Sequence, residues 1–426
     1  MYERRKRNPQ NVVFSLSLKD GCTVLTAENK RERRYMKNWS LSAWVAGFLA
    51  VLISYCGPLV IFIQAAKVGG FSQDMLSSWI WAISMGAGVS GLVLSLWLRM
   101  PVITAWTAPG TALLINLFPE ISMAEVVGAY FSAALITAVI GVSGYFERIV
   151  HYIPKGIAAA MMAGILFQFG VQAFQASMEL PSVVFAMLGV YLVSKRLWPS
   201  YTVILVAITG FTMAYLQGHT QLDTLSLQWG TPIFTMPEFS LKVFFSFTIP
   251  LVVVSLTGQF LPGMVVMRLA GYNMPSRAVV TGTGLASMVV AFFGGITVVL
   301  AAITAALCTG KESHADPEKR YVAGIANGVV YLIGGTLAGS IVLIFNAIPA
   351  ALVAALAGLA LIGAIVANIR LLADDLTYIE PSVITFLVTA SGMSLGGLGS
   401  AFWGVVIGLI AYWVLRVGRV SKRTTT

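Results

Sequence analysis

"VITAWTAPGTALL" occupies residues 102–114, inside a chain that is otherwise close to unbroken apolar helix. Its centre holds threonines, a tryptophan and a Pro-Gly pair where a membrane span carries leucine and valine. Pro109 suits the first turn of a helix and Thr107 its N-cap, so the stretch reads as half extended chain and half helix. Broken backbone at membrane depth is tolerated only where it lines a cavity or is buried in protein. The fold therefore turns on whether this chain lies in a membrane and on what the break faces.

Composition answers the first question. Of 426 residues, 58% are hydrophobic and only 10% are charged, with mean hydropathy +0.84. Soluble domains run at roughly 45–50% apolar and 25% charged, so the solvent for most of this chain is lipid. The net charge of +10 is concentrated: Met1–Lys37 holds ten of the 27 Lys and Arg, in "ERRKR" and "KRERR". No apolar core follows the first charges, so the arm is not a signal peptide. It reads as a cytoplasmic anchor under the positive-inside rule rather than a nucleic-acid arm, and Met36 offers an alternative start. Cys22, Cys56 and Cys308 have neither metal nor disulfide spacing; the latter two read as small packing residues. A Gly-rich phosphate-cradling motif is missing, which argues against an ATP-driven pump, and no cofactor or metal is implied.

Apolar runs predict spans near 42–66, 75–98, 101–117, 123–145, 155–176, 181–194, 200–217, 242–267, 277–293, 296–309, 320–343, 348–367, 380–393 and 396–416. That is fourteen, several shorter than the ~20 residues a straight helix needs. With the N-terminus inside, Arg99, Arg148, Lys155, Lys195, Arg196, Arg268, Arg277, Lys311, Lys319, Arg320, Arg370 and the tail Arg416–Arg423 all fall in cytoplasmic turns. Only Lys67 and Lys242 fall outside, and the long loop 217–240 has no Lys or Arg. Both termini are thus expected on the cytoplasmic side of the inner membrane.

The loop 218–240 divides the spans seven and seven, so the second half, 241–416, must enter the membrane inverted relative to the first, 41–217. Inverted repeats of this kind mark secondary transporters. "VITAWTAPGTALL" (102–114) can be laid on "ITVVLAAITAALC" (296–308), each the third segment of its half; both open on β-branched residues suited to a strand. "GPLVIFIQAAKVGG" (57–70) and "LPGMVVMRLAGY" (261–272) mark the first segments. Two half-helices would then point their N-termini at each other near mid-membrane, offering unpaired N–H groups and partial positive charge. That is a site for an anion. The plain alternative is a proline kink, with threonines bonded back to their own helix and a packing tryptophan.

"WVAGFLAVLISYCGPLVIFIQAA" (44–66), "PVITAWTAPGTALL" (101–114), "AAITAALCTGKESHADPEKR" (301–320) and "FLVTASGMSLGGLGSAFWG" (386–404) resemble the BenE family of benzoate/proton symporters. The resemblance covers about 41–415 and leaves the basic arm 1–40 and the tail 417–426 outside. Its wider relatives, the uracil/xanthine permeases and the sulfate and bicarbonate transporters, imply an all-α integral membrane fold. It would have fourteen segments in two inverted repeats, a core domain (42–145 and 242–343) and a gate domain (155–217 and 348–416). Nucleobase permeases carry glutamates on the eighth and tenth segments; the corresponding positions here are Ser255 and Ile303, with Gln259 one turn beyond Ser255. Lack of a carboxylate there fits an anionic aromatic substrate. Tyr55 and Trp106 would wall its ring, and Thr107, Thr111, Thr304 and Gln259 would supply donors, with Gly110 and Ala302 beside the half-helix starts. A homodimer through the gate domains is implied by the same resemblance.

Proton coupling has no obvious carrier. Acids or histidines in the membrane are the usual ones, yet Glu147, Asp374, Asp375 and Glu380 sit at span ends, and His151 and His219 in loops. Glu312, His314 and Asp316 cluster in "KESHADPEK", either as a proton relay or as a solvated turn. A proton accompanying the anion would cancel the ~2.3 kcal/mol per 100 mV that opposes its inward movement. Asn327 and Asn346 are buried-polar candidates, either as site groups or as bonding partners between helices. The leading expectation is proton-coupled import of benzoate or a related aromatic carboxylate. An anion channel or exchanger of the same fold is the alternative, and no catalytic grouping supports an enzyme.

Overall fold

The computed structural model describes residues 41–115, 117–118, 121–220, 225–374 and 379–420, the side chains of Ile303 and 416–420 excepted. The basic arm, Cys22, Asp375 and the last six residues of the tail lie outside that range. In chain order the first half holds α1 (Leu41–Cys56), α2 (Pro58–Val68), α3 (Gln73–Leu98), β1 (Thr104–Trp106), α4 (Ala108–Ile115) and α5 (Met123–Ser143). It continues with α6 (Phe146–Tyr152), α7 (Lys155–Gln175), α8 (Pro181–Leu197) and α9 (Thr202–Leu216). The second half holds α10 (Leu241–Leu269), α11 (Ser276–Ala291), β2 (Val298–Leu300), α12 (Ile303–Thr309), α13 (Tyr321–Thr336) and α14 (Ala338–Asn346). Then come α15 (Ala350–Ala373), α16 (Ile379–Ala390) and α17 (Ser400–Val420).

Local chemistry sets the ends. Ser72 caps α3 by accepting the Met75 N–H at 3.2 Å, and Ser122 with Glu125 forms a reciprocal capping box on α5. Gly57 followed by Pro58 separates α1 from α2. Helix α10 contains two π turns, Phe244–Thr248 and Leu256–Phe260. Each adds a residue to a turn, so Gln259 is not stacked one regular turn over Ser255 as expected.

Seven described helices are long and apolar enough to cross a membrane, or eight when a bent pair counts as one. The count falls below fourteen in part because 101–117 and 296–309 are strand plus short helix, and because α11 and α16, with 16 and 12 residues, are shorter than a straight crossing needs. The expected single span 320–343 is corrected: Pro317–Thr336 and Ala338–Asn346 are bent by 70°. At this break, Thr336 O accepts the N–H of Gly230 (2.8 Å), and Ser340 N–H donates to Gln228 O (3.0 Å). The Gln228 N–H in turn donates to Ser340 Oγ (2.8 Å). Groups freed by the bend are thus satisfied by a loop about a hundred residues away. The same loop bonds Ser78 through Ile233, Phe292 through Thr235 and Ala124 through Glu238, lacing together the ends of α3, α5, α11 and α13.

Packing is pairwise between halves: α3 lies along α13, α5 along α11, and α7 along α15. α1 also packs on α13, α7 on α16, α8 on α9, and α16 on α17. In lipid, association of this kind depends on close backbone approach. A Cβ on Gly328 would stand 2.8 Å from Gly88 O and 2.7 Å from Leu92 Cβ. Gly328→Leu is expected to destabilise the protein by roughly 1–3 kcal/mol through overpacking. The thermal midpoint in detergent reads this, with Gly189→Leu, which enters open space, as an unshifted control.

Candidate functional site

β1 and β2 pair antiparallel, Thr104 opposite Leu300, Ala105 opposite Val299 and Trp106 opposite Val298. Flanking bonds run from Thr107 N–H to Thr297 O (3.1 Å) and from Ala301 N–H to Ile103 O (2.9 Å). A shift of 194 positions carries β1 onto β2 and the first flanking bond onto the second. It is also the shift that lays 102–114 on 296–308 in the sequence. The pair lies at mid-length of α3: Thr104 Oγ1 donates to Ala87 O (2.7 Å) and accepts from Ser90 Oγ (3.3 Å).

At the start of α4, Thr107 Oγ1 accepts the Gly110 N–H at 3.3 Å, the expected N-cap. The cap has a cost for the expected site, because that N–H is no longer free for an anion. Thr111 Oγ1 donates to Thr107 O (3.1 Å), so its donor is spent inside the helix. A side-chain cap is lacking at Ala302, where α12 begins. Ser255 and Thr297 hydroxyls lie 3.4 Å apart, and Thr304 is buried with its Oγ1 unpartnered. Gln259, on α10 between Ser255 and Gly263, is half-buried. The side chain of Ile303 is outside the described set.

Trp106 is 2% exposed and its indole N–H has no partner. Its ring stacks on Tyr55 (centroids 6.0 Å) and meets Tyr331 edge-on at 5.9 Å. The Tyr55 hydroxyl bonds Ser84 Oγ at 2.8 Å. Tyr331 is fully buried with an unpartnered hydroxyl, and Asn327, one turn before it on α13, is fully buried with neither amide atom bonded. Of the two buried-polar candidates, Asn327 is buried without a bond between helices and Asn346 is exposed. Tyr331 and Thr297 escaped the sequence reading; the signal available for Tyr331 was its spacing of four from Asn327. Trp106 Nε1, Thr304 Oγ1 and Tyr331 Oη are therefore polar groups kept dry without protein partners, a costly state unless a ligand or water completes them.

The "KESHADPEK" cluster is drawn into a turn. His314 Nδ1 accepts the Asp316 N–H (2.9 Å), and Asp316 caps Pro317–Lys319 and pairs with Lys319 at 3.5 Å. Arg320, 6% exposed, donates to His314 O (2.7 Å) and Thr309 O (2.6 Å), closing the end of α12. Burial raises the Tyr272 phenol above its usual pKa, keeping the proton that it donates to Pro317 O. Glu312, His314 and Asp316 are not joined to the strand crossing by any of these bonds.

Two interrupted segments thus cross within an apolar helix bundle, beside buried polar groups without protein partners, an arrangement that fits a polytopic membrane protein. The fold is similar to the transmembrane domain of a cyanobacterium bicarbonate transporter BicA. The TM-score is 0.55 over 88% of this chain and 98% of that one, at 17% identity. The family model described as "BenE: Benzoate membrane transport protein" matches residues 37–414, and the chain belongs to this family. It is 52% identical over 385 residues to the benzoate membrane transport protein of Acinetobacter baylyi, covering 90% of this chain and 98% of that protein. With the inner membrane protein YdcO of Escherichia coli strain K12 the identity is 37% over 373 residues, 88% of this chain and 95% of that one.

Proposed function

We propose that this protein imports benzoate, or a related aromatic carboxylate, together with a proton across the inner membrane, with both termini cytoplasmic. In this reading the segments form two inverted seven-segment repeats. A core (42–145 and 242–343) moves against a gate (155–217 and 348–416), exposing the strand crossing to one side and then the other. The register of the crossing at an offset of 194 supports the repeat. The pairwise packing of α3 with α13, α5 with α11 and α7 with α15 supports the division. The names of the relatives support the substrate class, and a homodimer through the gate domains is part of the same proposal.

The observation that carries the substrate reading is Trp106. Its ring, with Tyr55 and Tyr331, forms an aromatic wall, and its unpartnered N–H lies in the strand that leads into α4. The carboxylate accepts from Trp106 Nε1, just before α4, and from Thr304 Oγ1, at the start of α12, and the ring stacks on the aromatic group. Gln259 lines the approach. Intramembrane acids are scarce, and Glu312, His314 and Asp316 are engaged in their own turn, so we assign the proton to the substrate itself. A proton that crosses with the bound carboxylate cancels the electrical opposition of ~2.3 kcal/mol per 100 mV.

The test is uptake of radiolabelled benzoate into proteoliposomes of the purified protein, with and without an inward proton gradient. Accumulation above equilibrium only with the gradient is the expected result. Benzoate that merely equilibrates moves the protein to the channel or exchanger class, and no benzoate-dependent flux at all removes the substrate assignment.

A further inference from the structure

A cavity with both polar and apolar walls lies between the end of α2, the end of α7 and the start of α15. Its volume is about 600 Å³, within the roughly 300–1,000 Å³ of small-molecule sites. Its lining includes Gln64, Lys67, Gln172, Glu179, Ala351 and Ala354. Gln64 and Lys67 are three apart on α2 and so share a face, with Lys67 nearer the helix end. Gln172 on α7 lies deeper than Glu179, which follows the end of that helix.

Between the walls, Gln64 Nε2 donates to Gln172 Oε1 at 2.6 Å, while Gln64 Oε1 is shielded and unpartnered. This bond joins a helix of the proposed core to a helix of the proposed gate. The side-chain bonds Tyr55–Ser84, Arg99–Tyr321 and Ser255–Thr297 stay within the first group. Ser182–Gln217 and Gln168 to Ala390 O stay within the second. At this cavity Gln64 and Gln172 tie the two groups by a bond that a ligand's own oxygens can replace. Above it, Lys67 is the cation of the cavity; Glu179 opposes it, and the two form no ion pair with each other. Lys67 is also one of only two basic residues on the outer side of the charge pattern, where the positive-inside rule leaves few.

We propose that this cavity is the outer capture site for the incoming aromatic carboxylate. Lys67 draws in the anion, the alanines of α15 receive the ring, and the Gln64–Gln172 bond is the barrier that the bound carboxylate loosens. The proposal rests on the transport reading above, and its test separates the two. Full-length protein in detergent is acetylated with a membrane-impermeant amine reagent, and Lys67 and Lys242 are followed by mass spectrometry. Benzoate is expected to slow Lys67 labelling at least threefold, with Lys242 unchanged and uncharged benzamide without effect. No protection, or equal protection by benzamide, overturns the site.

In sided proteoliposomes, Lys67→Gln is expected to raise the benzoate KM for influx about fivefold and to leave the KM for efflux unchanged. Lys67→Arg is expected to restore influx. Equal changes in both directions, or none, overturn the capture role. Protection of Lys67 without any wild-type flux would sink the transport reading and leave the site standing.

Discussion

Trp106→Ala is expected to reduce gradient-driven benzoate uptake at least 100-fold. The residue supplies two things at once: a buried face stacked on Tyr55, and an N–H with no other partner. A hydrogen bond to a charged group contributes about 1.5–3 kcal/mol, or roughly 10- to 150-fold in affinity, and the lost ring surface adds to it. Truncating a buried aromatic also costs about 3–5 kcal/mol of stability, so Trp106→Phe is the necessary companion. It keeps an aromatic face beside Tyr55 and Tyr331 and removes the donor together with part of the indole ring. A KM about tenfold above wild type, with a thermal midpoint lowered less than in Trp106→Ala, is expected for Trp106→Phe. Wild-type kinetics in that variant would remove the indole N–H from substrate recognition.

Gly110→Val is expected to abolish uptake while leaving most of the helical fold intact. A Cβ at 110 would stand 2.5 Å from Thr107 Cγ2, and closer still to Leu251 Cδ1. Thr107 is the cap of α4 and its N–H donates to Thr297 O just before β2, so the first turn of the half-helix must leave the crossing to admit the side chain. Overpacking of this order costs about 1–3 kcal/mol, and here it falls on the geometry of the site. Circular dichroism within error of wild type, with uptake below one hundredth, is the expected pair of results. Gly189→Val, in open space, supplies the control, and uptake within twofold of wild type for Gly110→Val would show that the start of α4 need not hold its place.

Both predictions use residues that stood out in the sequence. Thr107, Pro109 and Gly110 are legible because capping and proline placement are local rules, decided within four residues of chain. The offset of 194 is legible for a related reason. Each segment carries its own β-branched opening and small-residue helix, so the two match before either is folded. The solvent of the chain was equally plain, since 58% apolar residues leave lipid as the only medium.

Other features have no local signature. The 70° bend at Leu337 is held by Gln228 and Gly230, and neither segment announces the other. The π turn at Leu256–Phe260 changes which way Gln259 points; Gly258 and Pro262 mark a weak place in the helix without specifying this turn. Thr111 was expected as a substrate donor and is bonded within its own helix instead, a choice made by side-chain rotation rather than residue type. Tyr331 joins Trp106 and Tyr55 only because α13 packs between α1 and α3.

The sequence by itself determined the medium, the positions of the two interrupted segments and the register in which they correspond. Composition, capping and strand propensity act over short stretches and survive any arrangement of the rest. Tertiary structure alone decided which polar groups are left without partners at the crossing and in the outer cavity. Whether a buried polar atom is satisfied depends on atoms brought from distant parts of the chain, and none reaches Trp106 Nε1, Thr304 Oγ1 or Gln64 Oε1.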